Sequence, residues 1–214
     1  MMSGFEDRKE YAKGQLSEAA LQDVGSALQR WLTEAKESDP QDYNAMTLST
    51  IGLNGHPNAR VVLLRSIEPW DGDAAIAFYT NYESEKGREL EAHPHAAATF
   101  FWRELERQLR VKGRIMRMTE EDSDRYFASR PRESRIGAWA SDQSRPVSNR
   151  QEMESAWAEF NRKYPDEVPR PPHWGGFLLV AEQIEFWQGR PGRMHDRIEA
   201  RKADGGWDIR RLQP

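Results

Sequence analysis

Apolar residues between positions 21 and 35 recur every three or four residues, which is the spacing of one helix face. The series is Leu21, Val24, Leu28, Trp31, Leu32 and Ala35. We predict a helix from Ser17 to Asp39-Pro40, because the residue before a proline disfavours helical backbone. Residues 1–16 are polar and lack this pattern. They are expected to form a mobile N-terminal segment, followed by a single domain over residues 17–214.

From residue 45 the pattern changes to short runs of β-branched and apolar residues, which favour strands. Asn54-Gly55 between the first two runs is a strong hairpin signal. Strands are predicted over 45–53, 60–67, 75–81, 96–102, 107–118, 176–188, 195–202 and 207–212. Helices are predicted over 84–92, 119–129 and 150–164, the second one capped by Thr119.

Strands and helices do not alternate along the chain, which argues against a Rossmann sheet. The pattern predicts a mainly β fold with peripheral helices. A closed or split antiparallel β-barrel fits this order.

Composition excludes several classes of protein. The formal net charge is −4, so no global basic field attracts nucleic acid. Mean hydropathy is −0.89, and no apolar run approaches the ~20 residues of a membrane helix. The chain has no cysteine, which excludes disulfides, thiolate metal sites and cysteine nucleophiles. No metal site is predicted, and with no apolar signal segment at the start a cytoplasmic location is expected.

Arginine dominates the basic residues, since only 7 of the 31 are lysine. Coding bias would scatter arginines along the chain, whereas an anion site would concentrate them. Between Tyr126 and Ser144 three arginines lie among several hydroxyl groups, at positions 130, 132 and 135. Arginines can fix the orientation of a phosphate through bidentate hydrogen bonds, so the segment could be an anion site. The alternative is a solvated helix face that carries salt bridges, which has the same composition.

Three further segments are candidate sites. Tyr79 to Lys86 runs from a strand end into a helix start, where free backbone N–H groups favour phosphate. Arg60 and Arg65 lie five residues apart, so in a regular strand they face opposite sides. Either both are surface residues, or each contacts an anionic group. Arg193 and His195 lie two apart, so in a strand they share a face. On that face they would either bind an aromatic heterocycle or have a purely structural role.

The sequence also contains long ordered motifs. They are S-R-P-R-E-S-R-I-G-A-W at 129–139, W-G-G-F at 174–177, Q-I-E-F-W-Q-G at 183–189 and R-M-H-D-R at 193–197. With E-Y-A-K-G at 10–14 and the terminal R-L-Q-P, the chain resembles the pyridoxamine (pyridoxine) 5′-phosphate oxidase family over nearly its whole length. The resemblance implies an FMN-binding split β-barrel, antiparallel and Greek-key-like. It also implies a homodimer with FMN at the subunit interface. Such enzymes oxidise pyridoxamine or pyridoxine 5′-phosphate to pyridoxal 5′-phosphate and reduce dioxygen to hydrogen peroxide.

The resemblance also assigns residues by position. FMN is expected at Arg60, Val61, Val62, Leu63, Leu64, Arg65, Tyr79, Thr80, Lys86, Gln108, Gln143, Ser144, Trp187 and Arg197. The substrate phosphate is expected at Arg65, Tyr126, Arg130 and Ser134, with Arg193 and His195 flanking the pyridine ring as the catalytic pair. Residues from Arg8 to Tyr11 correspond to a segment that closes over substrate in some members.

Two residues depart from the family pattern. Arg65 replaces a lysine, which keeps the charge but changes its geometry. Glu85 replaces an arginine beside the expected FMN phosphate, so either its carboxylate faces solvent or FMN binding is weakened.

Two rival functions use the same fold. One is a non-catalytic carrier of flavin or pyridoxal phosphate, and the other is a flavin reductase that uses a nicotinamide cofactor. The presence of both the Arg193/His195 pair and the Arg130/Ser134 cluster favours the oxidase.

Overall fold

The computed structural model describes residues 10–70 and 73–214. Within them the strands are β1 Ala45–Ile51, β2 Pro57–Leu63, β3 Ser66–Trp70, β4 Asp73–Asn81, β5 His95–Trp102, β6 Arg107–Arg117, β7 Trp174–Gln188, β8 Asp196–Ala203 and β9 Gly206–Arg211. The α-helices are α1 Val24–Ser38, α2 Glu85–Ala92, α3 Glu120–Ser129, α4 Arg132–Ala140 and α5 Arg150–Lys163. Two short 3₁₀ turns span Glu18–Leu21 and Pro191–Arg193.

The strands form one antiparallel sheet in the order β2-β1-β5-β6-β7-β4-β3, with β8 paired to β7 and β9 paired to β8. The sheet does not close on itself, so the prediction of a mainly β fold with peripheral helices is confirmed in its split form. Strand β7 has 15 residues, and β6 pairs along one of its edges. Its other edge pairs with β4 over Trp174–Val180 and with β8 over Gln183–Gln188.

The core lies between one face of this sheet and α1. Five residues in register across β1, β5, β6, β7 and β8 are fully buried; these are Leu48, Ala98, Val111, Ile184 and Ala200. Helix α1 buries Leu28, Trp31 and Leu32 in the same cluster, and the Trp31 ring meets Phe186 edge-on at 4.9 Å between centroids. Among the described residues no helix is long and apolar enough to cross a membrane.

Most predicted elements are confirmed, and their ends follow local chemistry. Gly55 adopts φ = 80° in the predicted hairpin, a value that glycine tolerates and most residues do not. The Thr119 hydroxyl accepts the N–H of Asp122, as a helix cap. Helix α1 begins later than predicted, because the Asp23 carboxylate caps it by accepting the N–H of Ser26.

One predicted strand is wrong, and one helix was missed. The strand predicted over 60–67 is broken at Leu64 and Arg65, since β2 pairs with β1 whereas β3 pairs with β4 across the sheet. The backbone N–H of Arg65 donates to Ala77 of β4 instead of continuing the first ladder. The expectation that Arg60 and Arg65 face opposite sides of one strand therefore does not apply. Helix α4, over the arginine-rich segment, was not predicted.

Residues 10–16 contact the end of the sheet. The backbone N–H groups of Ala12 and Lys13 both donate to the Glu106 carboxylate, at 2.8 and 3.0 Å. Arg190 donates to the carbonyl of Gly14. The mobility expected for residues 1–16 stays a prediction, and these contacts hold residues 12–14 against the end of the sheet.

We expect Leu28→Ala to lower the free energy of unfolding by ~2–5 kcal/mol, because it leaves a cavity between α1 and the sheet. The matched control is Leu53→Ala in the first hairpin, where the side chain is 59% exposed and the change should stay within ~0.5 kcal/mol. Urea unfolding at one fixed protein concentration measures both. Equal effects would contradict the packing of α1 on this core.

Candidate functional site

The predicted site residues form two clusters, and the first lies where β4 runs into α2. Thr80 is at the end of β4, and Lys86 is in the first turn of α2, which the Ser84 hydroxyl caps. Lys86 Nζ donates to Thr80 Oγ1 at 3.4 Å, and Thr80 Oγ1 donates to Gln143 Oε1 at 3.3 Å. The cluster therefore combines a helix N-terminus with an ammonium and a hydroxyl group, which suits an anion.

A second cation, Arg60, adds to the positive charge of this cluster. Lys86 is buried, and this burial, followed by the charge of Arg60, lowers its pKa below the ordinary value. Arg60 itself forms an ion pair with Glu89 of α2 at 2.8 Å. A bound anion would stabilise the charged form of Lys86.

Aromatic rings and arginines extend the first cluster towards α3. The rings of Tyr79 and Tyr126 stack with centroids 3.8 Å apart, and Tyr79 also stacks on Trp174. The Arg130 guanidinium lies 4.5 Å from the Trp174 ring centroid. Burial of the Tyr79 hydroxyl, assisted by Tyr126 and nearby acids, raises its pKa to about 12, so it stays a neutral donor at physiological pH.

Arg130 shows the clearest need for a ligand. Its Nη1 atom is buried and has no hydrogen-bond partner among the described residues. Burial lowers its pKa, and the positive charge of Arg65 lowers it further. A buried donor without a partner costs ~1–3 kcal/mol, which an anion would offset.

The predicted phosphate residues line two cavities beside this arginine. One, of about 330 Å³, is lined by Arg130, Ser134 and Gln143. The other, of about 480 Å³, is lined by Arg65, Tyr79 and Tyr126. The four predicted phosphate residues are thus divided between two cavities, and each cavity also contains one residue that was predicted to contact FMN, Gln143 in the first and Tyr79 in the second.

The second cluster lies at the far end of β7. Gln108, Trp187 and Arg197 are in register across β6, β7 and β8, on the face opposite the core row. Arg197 Nε donates to the buried Glu185 carboxylate at 2.9 Å. The His195 ring lies 4.7 Å from the Trp187 ring, and the Tyr11 ring meets both edge-on.

Arg193 and His195 both precede β8, so the strand geometry under which they would share a face does not apply. Arg193 ends the 3₁₀ turn before β8, and both Gly192 and Arg193 have positive φ, 63° and 62°. Such backbone is strained for arginine and clusters at functional sites. The backbone N–H of Arg190 donates to His195 Nδ1 at 3.2 Å, so the neutral imidazole carries its proton on Nε2.

The other predicted residues are placed as follows. Val61 and Leu63 lie exposed on the edge strand β2, beside the half-buried Val62, and Leu64 is buried where β2 ends. Ser144 is exposed with φ = 70°. Glu85 is exposed at the start of α2, and its charge partly counters the lowering of the Lys86 pKa. Arg8 lies outside the described residues.

Sequence reasoning missed three residues that support the predicted ones, namely Trp174 under Arg130, Glu89 beside Arg60 and Glu185 beside Arg197. Glu89 had a detectable signal, because it follows Lys86 by three residues on the same helix face. Trp174 stood in the W-G-G-F motif, but only the β4–β7 pairing places it near α3.

The two clusters lie far apart within one chain. Thr80 pairs with Gly175 at the start of β7, and Trp187 is near its end. At about 3.3 Å per residue the strand between them runs for about 40 Å. The chain therefore contains both halves of the predicted site without joining them.

Comparison with known proteins agrees with the motifs. Residues 32–164 match the family model described as pyridoxamine 5′-phosphate oxidase. Residues 174–214 match one described as the pyridoxine 5′-phosphate oxidase C-terminal dimerisation region. A pyridoxine/pyridoxamine 5′-phosphate oxidase of Chromobacterium violaceum is 49% identical over 209 residues, covering 97% of this chain and 96% of that protein. The Burkholderia multivorans protein of the same name is 47% identical, covering 97% of each.

Solved structures share the fold. PhzG from Burkholderia lata, in complex with tetrahydrophenazine-1-carboxylic acid, aligns with a TM-score of 0.85 at 26% identity, over 95% of this chain and all of that one. An FMN-binding protein of Nostoc punctiforme aligns with a TM-score of 0.71 at 17% identity, over 91% of this chain and 99% of that one, a likeness of fold alone. The matched models and the full-length relatives together establish that the chain belongs to the pyridoxine/pyridoxamine 5′-phosphate oxidase family.

Proposed function

We propose that this protein is an FMN-dependent oxidase that converts pyridoxamine or pyridoxine 5′-phosphate to pyridoxal 5′-phosphate and reduces dioxygen to hydrogen peroxide. The observation that carries the proposal is the buried, unbonded Nη1 of Arg130, next to the charge of Arg65. Two guanidinium groups beside hydroxyls bind a phosphate monoester well. A flavin reductase needs no such second phosphate site.

The first cluster also fits the terminal phosphate of FMN. Lys86, Arg60 and the start of α2 supply positive charge for one phosphate. The sequence has no glycine-rich dinucleotide fingerprint, which favours a mononucleotide over FAD. Exposed apolar residues of β2 offer a surface for a flat ring. The flavin, when bound, supplies the two-electron redox chemistry.

Separation of the clusters supports a homodimer with shared sites. FMN is much shorter than the length of β7 between Thr80 and Trp187, so one molecule reaches both clusters only when they come from two chains. All second-cluster residues on β7, the 3₁₀ turn and β8 lie within 174–214, the part that matches the dimerisation region. In a twofold dimer, the first cluster of each chain would face the second cluster of its partner.

Within such a site the side chains bind and orient the substrate. Arg65, Tyr126, Arg130 and Ser134 would hold its phosphate. His195 would donate its Nε2–H to the phenolic oxygen of the pyridine ring, and Arg193 would stabilise negative charge there. For pyridoxamine 5′-phosphate, water then releases ammonia, whereas the alcohol substrate needs no water. No described residue is assigned as a proton-abstracting base.

The test is steady-state peroxide formation with pyridoxamine 5′-phosphate at matched FMN occupancy. We expect one peroxide for each pyridoxal 5′-phosphate formed. Arg193→Ala should lower kcat/KM by an amount equivalent to ~2–4 kcal/mol of transition-state stabilisation, because charge stabilisation and ring positioning are both lost. Arg130→Ala should act mainly through KM, since phosphate anchoring is shared by ground and transition states.

Arg150→Ala is the matched control, since this arginine lies on α5 with its side chain 88% exposed and should change nothing. Bound flavin without peroxide would favour the non-catalytic carrier. Reduction that requires a nicotinamide cofactor would favour the reductase. Full activity of both Arg193→Ala and His195→Ala would place the active site elsewhere.

Glu85 gives a second test of the same site. Because its charge acts on Lys86, Glu85→Arg should tighten FMN binding by ~1 kcal/mol, and the gain should shrink with salt. Glu159→Arg on α5 changes the net charge equally and serves as control. Fluorescence titration of the flavin-free protein measures both. An affinity equal to that of the wild type at every salt concentration would mean that Glu85 faces solvent and does not act on the cofactor.

A further inference from the structure

Glu89 is a buried carboxylate to which no function has been given. It lies on α2 and is 2% exposed. Three side chains donate to it, namely Thr50 at 2.6 Å, Asn58 at 2.8 Å and Arg60 at 2.8 Å. Burial alone raises its pKa, but these bonds outweigh burial and hold the pKa below the ordinary value. Glu89 is therefore charged at neutral pH.

Glu89 helps to determine which N–H groups of Arg60 remain available. A guanidinium has five N–H groups. Two of those on Arg60 lie on Nη1, which donates to Thr50 Oγ1 at 2.6 Å and to the Leu48 carbonyl at 3.3 Å. One on Nη2 donates to Glu89.

The N–H of Nε and the second N–H of Nη2 remain. These two lie on one side of the planar group, where they can bind a phosphate through two parallel bonds. Thr50 Oγ1 and Glu89 Oε2 lie 2.6 Å apart and accept from Nη1 and Nη2 respectively, so we infer that they occupy the side between these two nitrogens.

Glu89 binds Arg60 and also lies near Lys86, so it connects the free N–H groups of Arg60 with the first cluster. Lys86 and Glu89 lie three residues apart on α2 and so share a helix face. Arg60 pairs with Glu89 on that face at 2.8 Å, and its charge lowers the pKa of Lys86, so both cations lie on the same side of α2. Glu89 offsets their mutual repulsion while its own oxygens stay engaged with Thr50, Asn58 and Arg60.

We propose that Glu89 is a positioning residue, which fixes Arg60 so that its free side faces the terminal phosphate of FMN. The inference rests on the proposed function, because it takes FMN as the cofactor. It differs from a purely structural role, in which Glu89 only ties α2 to β1 and β2. A structural role predicts a loss of stability alone, whereas positioning predicts a loss of affinity that depends on the phosphate.

The experiment compares FMN with riboflavin, which lacks the phosphate, by fluorescence titration of the full chain freed of flavin. Glu89→Gln keeps the shape but places an amide against a guanidinium. We expect it to weaken FMN binding about tenfold, the scale of one charge-assisted hydrogen bond, and to leave riboflavin binding unchanged. Combined with Arg60→Ala, it should weaken FMN binding no further than Arg60→Ala alone, since its effect passes through Arg60.

Glu91→Gln is the control, on the same helix but 45% exposed and paired with Arg117, and should leave both affinities unchanged. Should Glu89→Gln fail to fold, Thr50→Val removes a partner of both Glu89 and Arg60 and should cause the same phosphate-dependent loss. Equal weakening of both flavins, unchanged or tighter FMN binding, or additive losses with Arg60→Ala would overturn the positioning role alone. A wild-type protein that binds no FMN would overturn the proposed cofactor, and this inference with it.

Discussion

The length of β7 determines how far apart the two clusters of predicted site residues lie within one chain. Its 15 residues pair with β6 along one edge and are divided between β4 and β8 on the other. The β4 end places Thr80 near Lys86, while the β8 end aligns Trp187 with Arg197. Because one continuous strand joins these ends, a single chain keeps them apart, and a site made from both ends would need a second chain. The family match of residues 174–214 to a dimerisation region is consistent with this geometry.

Charge is arranged differently at the two ends. In the first cluster, Arg60 is paired with the buried Glu89, but burial lowers the pKa values of Lys86 and Arg130, so a bound anion would stabilise their charged forms. In the second, Arg197 is paired with the buried Glu185. The first cluster would thus gain stability from a bound anion, whereas the second is a preformed surface of aromatic and polar groups. Such preorganisation is what an oxidase that relies on its cofactor requires of its protein.

Sequence patterns predicted the elements well where a single physical signal dominated. The apolar spacing around Leu28, the turn at Asn54-Gly55 and the cap at Thr119 each depend on neighbouring residues. The break at Leu64 and Arg65 depends instead on which strand accepts the Arg65 N–H, and no local pattern carries that information. Likewise, the turn that holds Arg193 arises from left-handed backbone at Gly192, so alternation of residues was misleading there. The roles of the site residues came from the family motifs and stay predictions, whereas their grouping into two clusters required the sheet topology.

Mixing two defective chains tests the shared site most directly. Arg130→Ala impairs only the first cluster, and Arg193→Ala only the second. In a twofold dimer formed by co-expressing both variants, half of the dimers are mixed and each mixed dimer has one intact site, so activity should return to about a quarter of wild type. Peroxide formation at matched FMN occupancy and with substrate well below the wild-type KM, where a KM defect also lowers the rate, is compared with each variant alone. Activity of the mixture no higher than the average of the two variants would mean that each site is built within one chain.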